Sequence, residues 1–235
     1  MFRGLKKKEA EKKDDAIPLN IRSVAASTVF ENCTGQIVSA TILASKIYYL
    51  TLNHFLTGNR KTLKELHVDV YGLIKQTKVL KNNSFNVIAQ LQDKTPKLSQ
   101  YYVQVTETVR KTGNSVFHTY KTVSEYLDNT HTPFTEALTA ELTELNDEMA
   151  LFYNMILHSL KNNKYENIPK DIRKRKIRLL ALIDVFQRRQ LKRVKRREMS
   201  IRNGVLYLNI LTETKNLILS ATSLVKASRN FYQMM

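Results

Sequence analysis

The sequence has few of the residues that interrupt helices or connect short strands. Its 235 residues include only 6 Gly and 4 Pro, and Trp is absent. The turn clusters that separate the strands of an all-β chain are therefore missing. Because 43% of the residues are hydrophobic, the chain is not expected to be disordered and can bury a core, as one large domain or as two small ones. These absences favour long helices.

Disulfide bonds and membrane-spanning segments are also excluded. Cys33 is the only cysteine, which is compatible with a reducing compartment. No stretch approaches the roughly 18 consecutive apolar residues of a membrane span. The charged segment MFRGLKKKEAEKKDD at the start of the sequence has no apolar signal-peptide region behind it. The sequence alone predicts a soluble chain that is not exported.

Apolar side chains recur every three or four residues along six segments, which places them on one face of a helix in each segment. Gly, Pro and Asn clusters separate the six segments. The predicted helices end at Gly58-Asn59, at Thr95-Pro96, at the segment DNTHTP (128–133) and at KNNK (161–164), and the last two cover Pro169 to Met199 and about Ile201 to Tyr232.

The two halves of the chain share a pattern. The motif TET begins at Thr106 and again at Thr212, an offset of 106 residues. The same offset moves the first two predicted helices, about 24–57 and 60–93, close to the fourth and fifth. The third and sixth helices are therefore interpreted as equivalent members of two three-helix units. The predicted fold is all-α, with two tandem antiparallel three-helix bundles; the alternative is one irregular six-helix bundle without a repeat.

Three segments carry a resemblance to a known family: YYVQVTETVRK, YLDNTHTPFT and RNGVLYLNILTETKNLILSATSLVKASRNF. They resemble the PhoU-like cytoplasmic domain attached to PiT-type inorganic phosphate transporters of Bacteroidetes-like bacteria, over most of the chain from about Val24. The resemblance implies a PhoU-like pair of three-helix bundles and a regulatory, non-catalytic role in phosphate transport. It also implies a membrane-embedded transporter as partner, fused or in trans, and a location at the cytoplasmic face of the membrane. The chain is expected to be a detached domain or a separate partner of the transporter.

Three regions are predicted on this basis: a charged flexible tether over 1–20, a first bundle over 21–131 and a second over 132–235. The tether has no core residues. In a fused transporter, Lys6, Lys7 and Lys8 would follow the last span on the cytoplasmic side, as the positive-inside bias expects. In a separate protein they would belong to an ordinary flexible tail, and the sequence leaves both alternatives open.

The metal site of the PhoU family is not expected in this chain. The family has a Glu/Asp-x-x-x-Asp motif in the third helix of each half, and the resemblance places its acids at about Arg110, Asn114, Asn216 and Ser220. None of these four side chains is a carboxylate, whereas hard or borderline metals need anionic oxygen or imidazole ligands. The sequence therefore predicts no metal and no other cofactor.

A second group of acids lies on the fourth helix. Glu141, Glu144 and Glu148 share one helical face. No Glu-x-x-His pair accompanies them, as a di-metal site in a bundle would require. We therefore expect a solvated acidic face here rather than a metal-binding cluster.

No residue pattern indicates an enzyme. Cys33 lies on the apolar stripe of the first helix, where a buried thiol is ordinary. Gly58 and Gly113 stand alone and do not form a phosphate-binding loop. Asp128 and His131 flank a turn, where we expect them to help end the third helix. The other histidines are scattered without a His-x-x-x-His pair, at 54, 67, 118 and 158.

The strongest feature of the composition is the location of its positive charge. The net charge is +17, and the segment from Lys170 to Arg197 contains 13 Lys or Arg against Asp171 and Asp184, so it alone contributes 13 − 2 = +11. Leu180, Ile183, Leu191 and Val194 are expected to form the narrow apolar strip of this fifth helix. The side chains predicted to form a basic face are Lys174, Arg178, Arg188, Arg189, Lys192, Arg193, Lys195, Arg196 and Arg197.

Such a face indicates a partner that carries phosphate. The expected partner is anionic lipid of the inner leaflet or the transporter itself, and the chain could also form a homo-oligomer. A basic nucleic-acid-binding protein is the alternative, although Phe186 is the only aromatic residue on this helix and no specific nucleic-acid motif is present. A merely solvated face would mix charges of both signs.

Overall fold

The protein is all-α, as the sequence predicts. The structure, a computed structural model, describes residues 19–91, 96–129, 133–162 and 168–234, and within these ranges no strand occurs. The helices are α1 (Leu19–Leu56), α2 (Arg60–Glu65), α3 (His67–Asn82), α4 (Ser84–Leu91), α5 (Pro96–Asp128), α6 (Glu136–Asn162), α7 (Ile168–Lys195) and α8 (Ile201–Gln233).

The second predicted helix is divided, whereas the other five predicted helices are each a single helix. Leu66 separates α2 from α3, and Asn83 separates α3 from α4. Both residues keep right-handed helical backbone angles. The Leu66 N–H donates to the carbonyl oxygens of Thr62 and Leu63, at 3.3 and 3.2 Å. The interruptions are therefore local turns within a nearly continuous helical path.

The turn after α1 lies where the sequence predicts it and explains the glycine there. Gly58 has φ +67, a left-handed conformation that costs glycine little and other residues more. Its N–H donates to the Phe55 carbonyl at 3.1 Å, and the Asn59 N–H donates to the His54 carbonyl at 2.9 Å. This pair of bonds is a Schellman motif. The Asn59 side chain then accepts from the Thr62 N–H at 3.3 Å and caps α2.

The helices build one continuous hydrophobic core. Helices α1, α3 and α5 contact one another, and so do α6, α7 and α8. The two sets are joined because α5 packs along α8 and α1 packs along α6. Short connections after α1 and α7 reverse the chain, which places consecutive helices antiparallel. We call residues up to Asn129 the first half and residues from Pro133 the second half.

Burial recurs between the two halves with a constant spacing. Of the ten residues of α1 described as buried, nine have a buried counterpart in α6 105 positions later, from Cys33 and Leu138 to Phe55 and Leu160. The exception is Leu52, whose counterpart Leu157 is half-buried. The same spacing of 105 links α5 to α8, for instance Tyr102 to Tyr207 and Val109 to Thr214. Between the second and fifth predicted helices the spacing is 106, and the pairs are Leu66 and Ile172, Leu73 and Leu179, Thr77 and Ile183, Leu80 and Phe186, and Ser84 and Gln190.

This recurrence favours a duplicated architecture, which stays a prediction. It also corrects the offset between the third and sixth predicted helices from 106 to 105 residues. Thr106 is buried, whereas Thr212 is exposed. The two TET motifs therefore lie one residue out of phase, although they suggested the repeat.

The buried face of α7 also differs from the predicted strip. Its core residues are Ile172, Leu179, Ile183, Phe186 and Gln190. Ile183 was predicted correctly and Leu180 is half-buried. The predicted core positions Leu191 and Val194 are wrong, because their exposed fractions are 54% and 47%. The buried stripe continues through the polar Gln190. Apolar periodicity therefore indicates the wrong face in the last turns of α7.

Part of the predicted tether and one predicted turn lie outside the described residues. Positions 1–18 are among them, including Lys6, Lys7 and Lys8, as is His131. Leu19 and Asn20, which were assigned to the tether, belong to α1 instead. Asp128, the predicted neighbour of His131, pairs with Lys64 at 2.9 Å.

Candidate anionic-partner interface

The nine cations predicted as one basic face fall into two groups. Arg178, Arg189 and Arg193 are turned towards α6 and form ion pairs with its glutamates. The remaining six have no ion pair with α6 and are exposed to solvent, as Arg178 and Arg189 also are in part. We call these six the exposed basic surface: Lys174, Arg188, Lys192, Lys195, Arg196 and Arg197.

Glu141 of α6 is the centre of the first group. Arg193 binds it with two hydrogen bonds of 2.8 Å, one from each terminal guanidinium nitrogen to a different carboxylate oxygen. Arg189 donates to the same carboxylate at 3.2 Å, and the Tyr207 hydroxyl of α8 donates to it at 2.5 Å. The carboxylate therefore joins α6, α7 and α8.

Among the described residues, Glu148, two helical turns further along α6, joins α6 to α7 only. It is hydrogen-bonded to Arg175 and also pairs with Arg178 at 3.0 Å. Glu144, between the two, is exposed. The expected solvated acidic face is therefore wrong for Glu141 and Glu148, since both are buried. Their partners lie on the next helix, which periodicity within one helix cannot show.

The surroundings of Glu141 keep it charged. Burial by itself would raise the pKa of this carboxyl, but hydrogen bonds from Arg193, Tyr207 and Arg189 outweigh burial and lower the pKa below its ordinary 4.5. The same hydrogen bond to Glu141 raises the pKa of Arg193. Burial, followed by the bond to Glu141, raises the pKa of Tyr207. The site is thus an ionised contact between helices at neutral pH.

The exposed basic surface has almost no internal compensation. Of its six members, only Arg196 has a carboxylate partner among the described residues, the exposed Glu198 at 3.6 Å. Arg188 donates instead to the backbone carbonyl of Asp184 at 3.2 Å. Lys192 and Lys195 lie in the last turn of α7, where the helix dipole favours cations.

Exposed apolar side chains accompany these cations, and the sequence analysis missed them. Leu191 and Val194 of α7 and Ile201 and Val205 of α8 lie on both sides of the α7–α8 turn and are all exposed. Leu191 and Val194 alternate with Lys192 and Lys195 along the chain. The alternation was visible in the sequence, but it was interpreted as core. The end of α7 therefore presents cations and aliphatic side chains together, whereas Ile201 and Val205 line an open pocket with Thr122, Glu125 and Tyr126 of α5.

The α7–α8 turn has the same hydrogen bonds as the turn after α1, but arginine stands where glycine would be expected. Arg197 has φ 57, and among the described residues it is the one non-glycine residue with a positive φ. Its N–H donates to the Val194 carbonyl at 3.1 Å, and the Glu198 N–H donates to the Arg193 carbonyl at 3.1 Å. This Schellman motif places the Arg197 side chain at the edge of the exposed basic surface at a cost in backbone energy.

The first pair of positions that the PhoU resemblance assigns to metal ligands has a cationic environment. Arg110 and Asn114 line an open pocket of about 330 Å³ together with Lys78 and Lys81. Arg110 also makes a two-point ion pair with Glu107 on its own helix. Asn216 is exposed and Ser220 half-buried on α8. Within the described residues no group of three His, Cys, Asp or Glu side chains could hold a metal ion.

The remaining predicted candidates occupy structural positions. Cys33 is buried on the stripe of α1 as expected, and burial raises its pKa although Tyr102 hydrogen-bonds to it. A raised pKa favours the thiol, which is the opposite of what a nucleophile needs. Gly113 packs against Thr77 of α3, where an added Cβ would lie 3.2 Å from the Thr77 methyl group.

None of the helices in the described part of the chain is long and apolar enough to cross a membrane. Comparison with protein-family models, with curated proteins and with solved structures finds no match to this chain.

Proposed function

We propose that this chain is a non-catalytic regulatory or interaction domain that docks on an anionic membrane surface at the cytoplasmic side. The docking surface is the exposed basic surface together with the aliphatic side chains at the α7–α8 turn. The observation that carries the proposal is the alternation of exposed Leu191 and Val194 with Lys192 and Lys195 at the end of α7, with the exposed Ile201 following across the turn. Interfacial membrane binding uses both components, because cations attract anionic headgroups while aliphatic side chains enter the boundary of the acyl region.

The charges available are sufficient for useful attachment. Each Lys or Arg near an anionic leaflet contributes about 1 kcal/mol, so four or five engaged side chains would hold a domain that is already tethered nearby. The attraction is mostly Coulombic. It should therefore weaken steeply with salt, as the Debye length falls towards about 3 Å at 1 M.

A role beside a membrane-embedded inorganic phosphate transporter remains our interpretation of the PhoU resemblance. Its support is the similarity of the three quoted segments and the recurrence of burial between the two halves. In this proposal, the position of the domain on the membrane biases the transport cycle. A multi-span transporter encoded in frame with this chain or next to it would support the link, and unaltered phosphate uptake after deletion of the chain would contradict it.

The docking proposal is tested by sedimentation with vesicles of phosphatidylserine and phosphatidylcholine at low and high salt. We expect the wild-type protein to sediment with anionic vesicles at low salt and to be released at 1 M. Replacing Arg188, Lys192, Lys195 and Arg196 by Gln should abolish sedimentation and leave the helical circular dichroism signal unchanged. The matched control replaces four exposed lysines of the first half by Gln, Lys61, Lys75, Lys78 and Lys111, and should still sediment.

The aliphatic component separates this proposal from nucleic-acid binding, the second candidate. Changing Leu191 and Val194 to Asn keeps every charge but should weaken vesicle binding several-fold. Binding to duplex DNA, which is driven by phosphate contacts and counterion release, would not change. Wild-type protein that ignores anionic vesicles but retards DNA would replace the membrane proposal; binding to neither would indicate an acidic protein partner.

A further inference from the structure

A second cationic site lies between the first half of α7 and the last turns of α8, away from the α7–α8 turn. It is a pocket of about 430 Å³ lined by Ile172, Arg173, Lys176, Thr222, Val225, Lys226 and Arg229. Four of these seven residues are cations and none is an acid. At about 1.5 Å per residue, Lys176 and Arg188 are roughly 18 Å apart along α7. The pocket is therefore distinct from the cations at the α7–α8 turn, and only Lys174 of the exposed basic surface lies next to it in the chain.

The cations of this pocket have no carboxylate partner within the described residues. No ion pair links Arg173, Lys176, Lys226 or Arg229 to an acid. The other arginine clusters on α7 differ, because Glu141 and Glu148 neutralise them. Like charges brought together in a concave site repel one another unless an anion enters.

Arg229, one of the residues that line the pocket, has a side-chain nitrogen that is both buried and unsatisfied. The Nε atom of Arg229 is shielded from solvent and has no hydrogen-bond partner in the structure. A buried donor without a partner is rare and carries a desolvation cost. Thr222 does not relieve it, because its hydroxyl donates to the Ile218 carbonyl of its own helix at 2.7 Å. The guanidinium and ammonium groups are therefore the donors that the pocket offers to a ligand.

The walls of the pocket set the class of ligand. Ile172 and Val225 are both largely buried, and they supply an apolar surface beside the four cations. The volume falls within the range of roughly 300–1,000 Å³ that is typical of small-molecule sites. Arginine binds phosphate through a planar pair of N–H groups. We propose that the pocket between α7 and α8 binds a phosphate-bearing small molecule whose remaining part is apolar or planar, such as a nucleotide.

The experiment is isothermal titration calorimetry of the full chain at low salt and at 150 mM salt. The probes are AMP, ATP, adenosine, inorganic phosphate and a soluble short-chain phosphatidylserine. We expect a phosphate-bearing organic probe to bind, adenosine not to bind, and inorganic phosphate to bind at least ten-fold more weakly. The nucleotide and lipid arms distinguish a free metabolite from a headgroup as the source of the phosphate.

Two variants place the binding at this pocket. R229Q removes the unsatisfied donor and should weaken binding at least ten-fold. Since Arg229 is half-buried and its loss could disturb α8, the exposed pair R173Q/K226Q provides a second variant with the same expected loss. The α7 variant with Arg188, Lys192, Lys195 and Arg196 replaced by Gln is the control and should retain binding even if it no longer sediments with vesicles.

Failure of this inference is therefore separable from failure of membrane docking. Absence of binding by every probe at low salt would overturn it. So would binding that R173Q/K226Q leaves unchanged, or adenosine binding as tightly as AMP. Inorganic phosphate binding as tightly as AMP would overturn the organic part of the proposal and leave a simple anion site.

Discussion

Arg197 adopts the left-handed backbone conformation that Gly58 adopts in the equivalent turn after α1. Both turns close with the same two hydrogen bonds, so Gly58 and Arg197 form a natural pair for comparison. A residue with a side chain in the left-handed region costs about 1 kcal/mol relative to glycine. Strain of this kind persists where the side chain has a use, and here the side chain extends the exposed basic surface.

We expect R197G to raise the free energy of unfolding by about 0.5–1 kcal/mol, because glycine relieves the strained turn. The same change should weaken vesicle binding by removing one cation. Chemical denaturation and vesicle sedimentation measure the two effects. G58A is the matched control and should lower stability by about 1 kcal/mol. An R197G protein less stable than wild type would mean that the arginine side chain itself holds the turn.

At the scale of elements, α7 is held to the protein by apolar contacts and by two ionised clusters. Removing the charge of Glu141 leaves Arg193 and Arg189 without their counterion, and loss of one member of a buried pair costs several kcal/mol. We expect E141Q to lower the free energy of unfolding by about 3 kcal/mol, at the lower end because the Arg189 side chain is 55% exposed and can rehydrate. The exposed E144Q is the control and should change stability by less than about 0.5 kcal/mol.

The pH dependence gives an independent test of the same contact. The pKa of Glu141 is lower in the folded protein than its ordinary 4.5, so the unfolded chain binds the proton more readily. The stabilisation is therefore fully present above about pH 4.5 and is lost as the pH falls through the lowered folded pKa. E141Q should lack this part of the acid dependence. Parallel stability curves for wild type and E141Q between pH 5 and 2 would contradict the assignment.

Periodicity within each helix was enough to predict the helices and most core positions, but not the partners across helices. On α6, the apolar residues that mark the predicted stripe, such as Leu138, Leu145 and Phe152, are buried. On α7, the buried stripe passes through Gln190 and the half-buried Arg193, so the pattern led to Leu191 and Val194 instead. Glu141 and Glu148 looked like a solvated face because the arginines that bind them lie more than 25 residues away in the sequence.

For the whole molecule, the recurrence of burial makes a prediction about a single hydroxyl group. Tyr48 and Tyr153 are both buried and lie 105 positions apart. The Tyr48 hydroxyl bonds to Thr214 at 2.7 Å, whereas the Tyr153 hydroxyl has no hydrogen-bond partner in the structure. The residue 105 positions before Thr214 is Val109. If the halves are equivalent, the second tyrosine lacks its partner because valine replaced threonine.

Val109→Thr should therefore restore the missing hydrogen bond and offset part of the usual cost of about 1–3 kcal/mol for burying an unpaired hydroxyl. Val105→Thr, on the same helix without a tyrosine partner, should be less stable than Val109→Thr by about 1 kcal/mol. A double-mutant cycle with Tyr153→Phe measures the new bond directly. Zero coupling between positions 109 and 153 would contradict the equivalence of the halves.

The packing of α1 on α6 and of α5 on α8 also has a consequence for folding during synthesis on the ribosome. A chain elongating at about 5–20 residues per second needs roughly 5–20 seconds to add the second half. Throughout that interval, the faces of α1 and α5 that later meet α6 and α8 have nothing to cover them. The nascent first half thus exposes apolar surface that can aggregate. We expect this protein to depend on a chaperone chiefly in the seconds before α8 is synthesised.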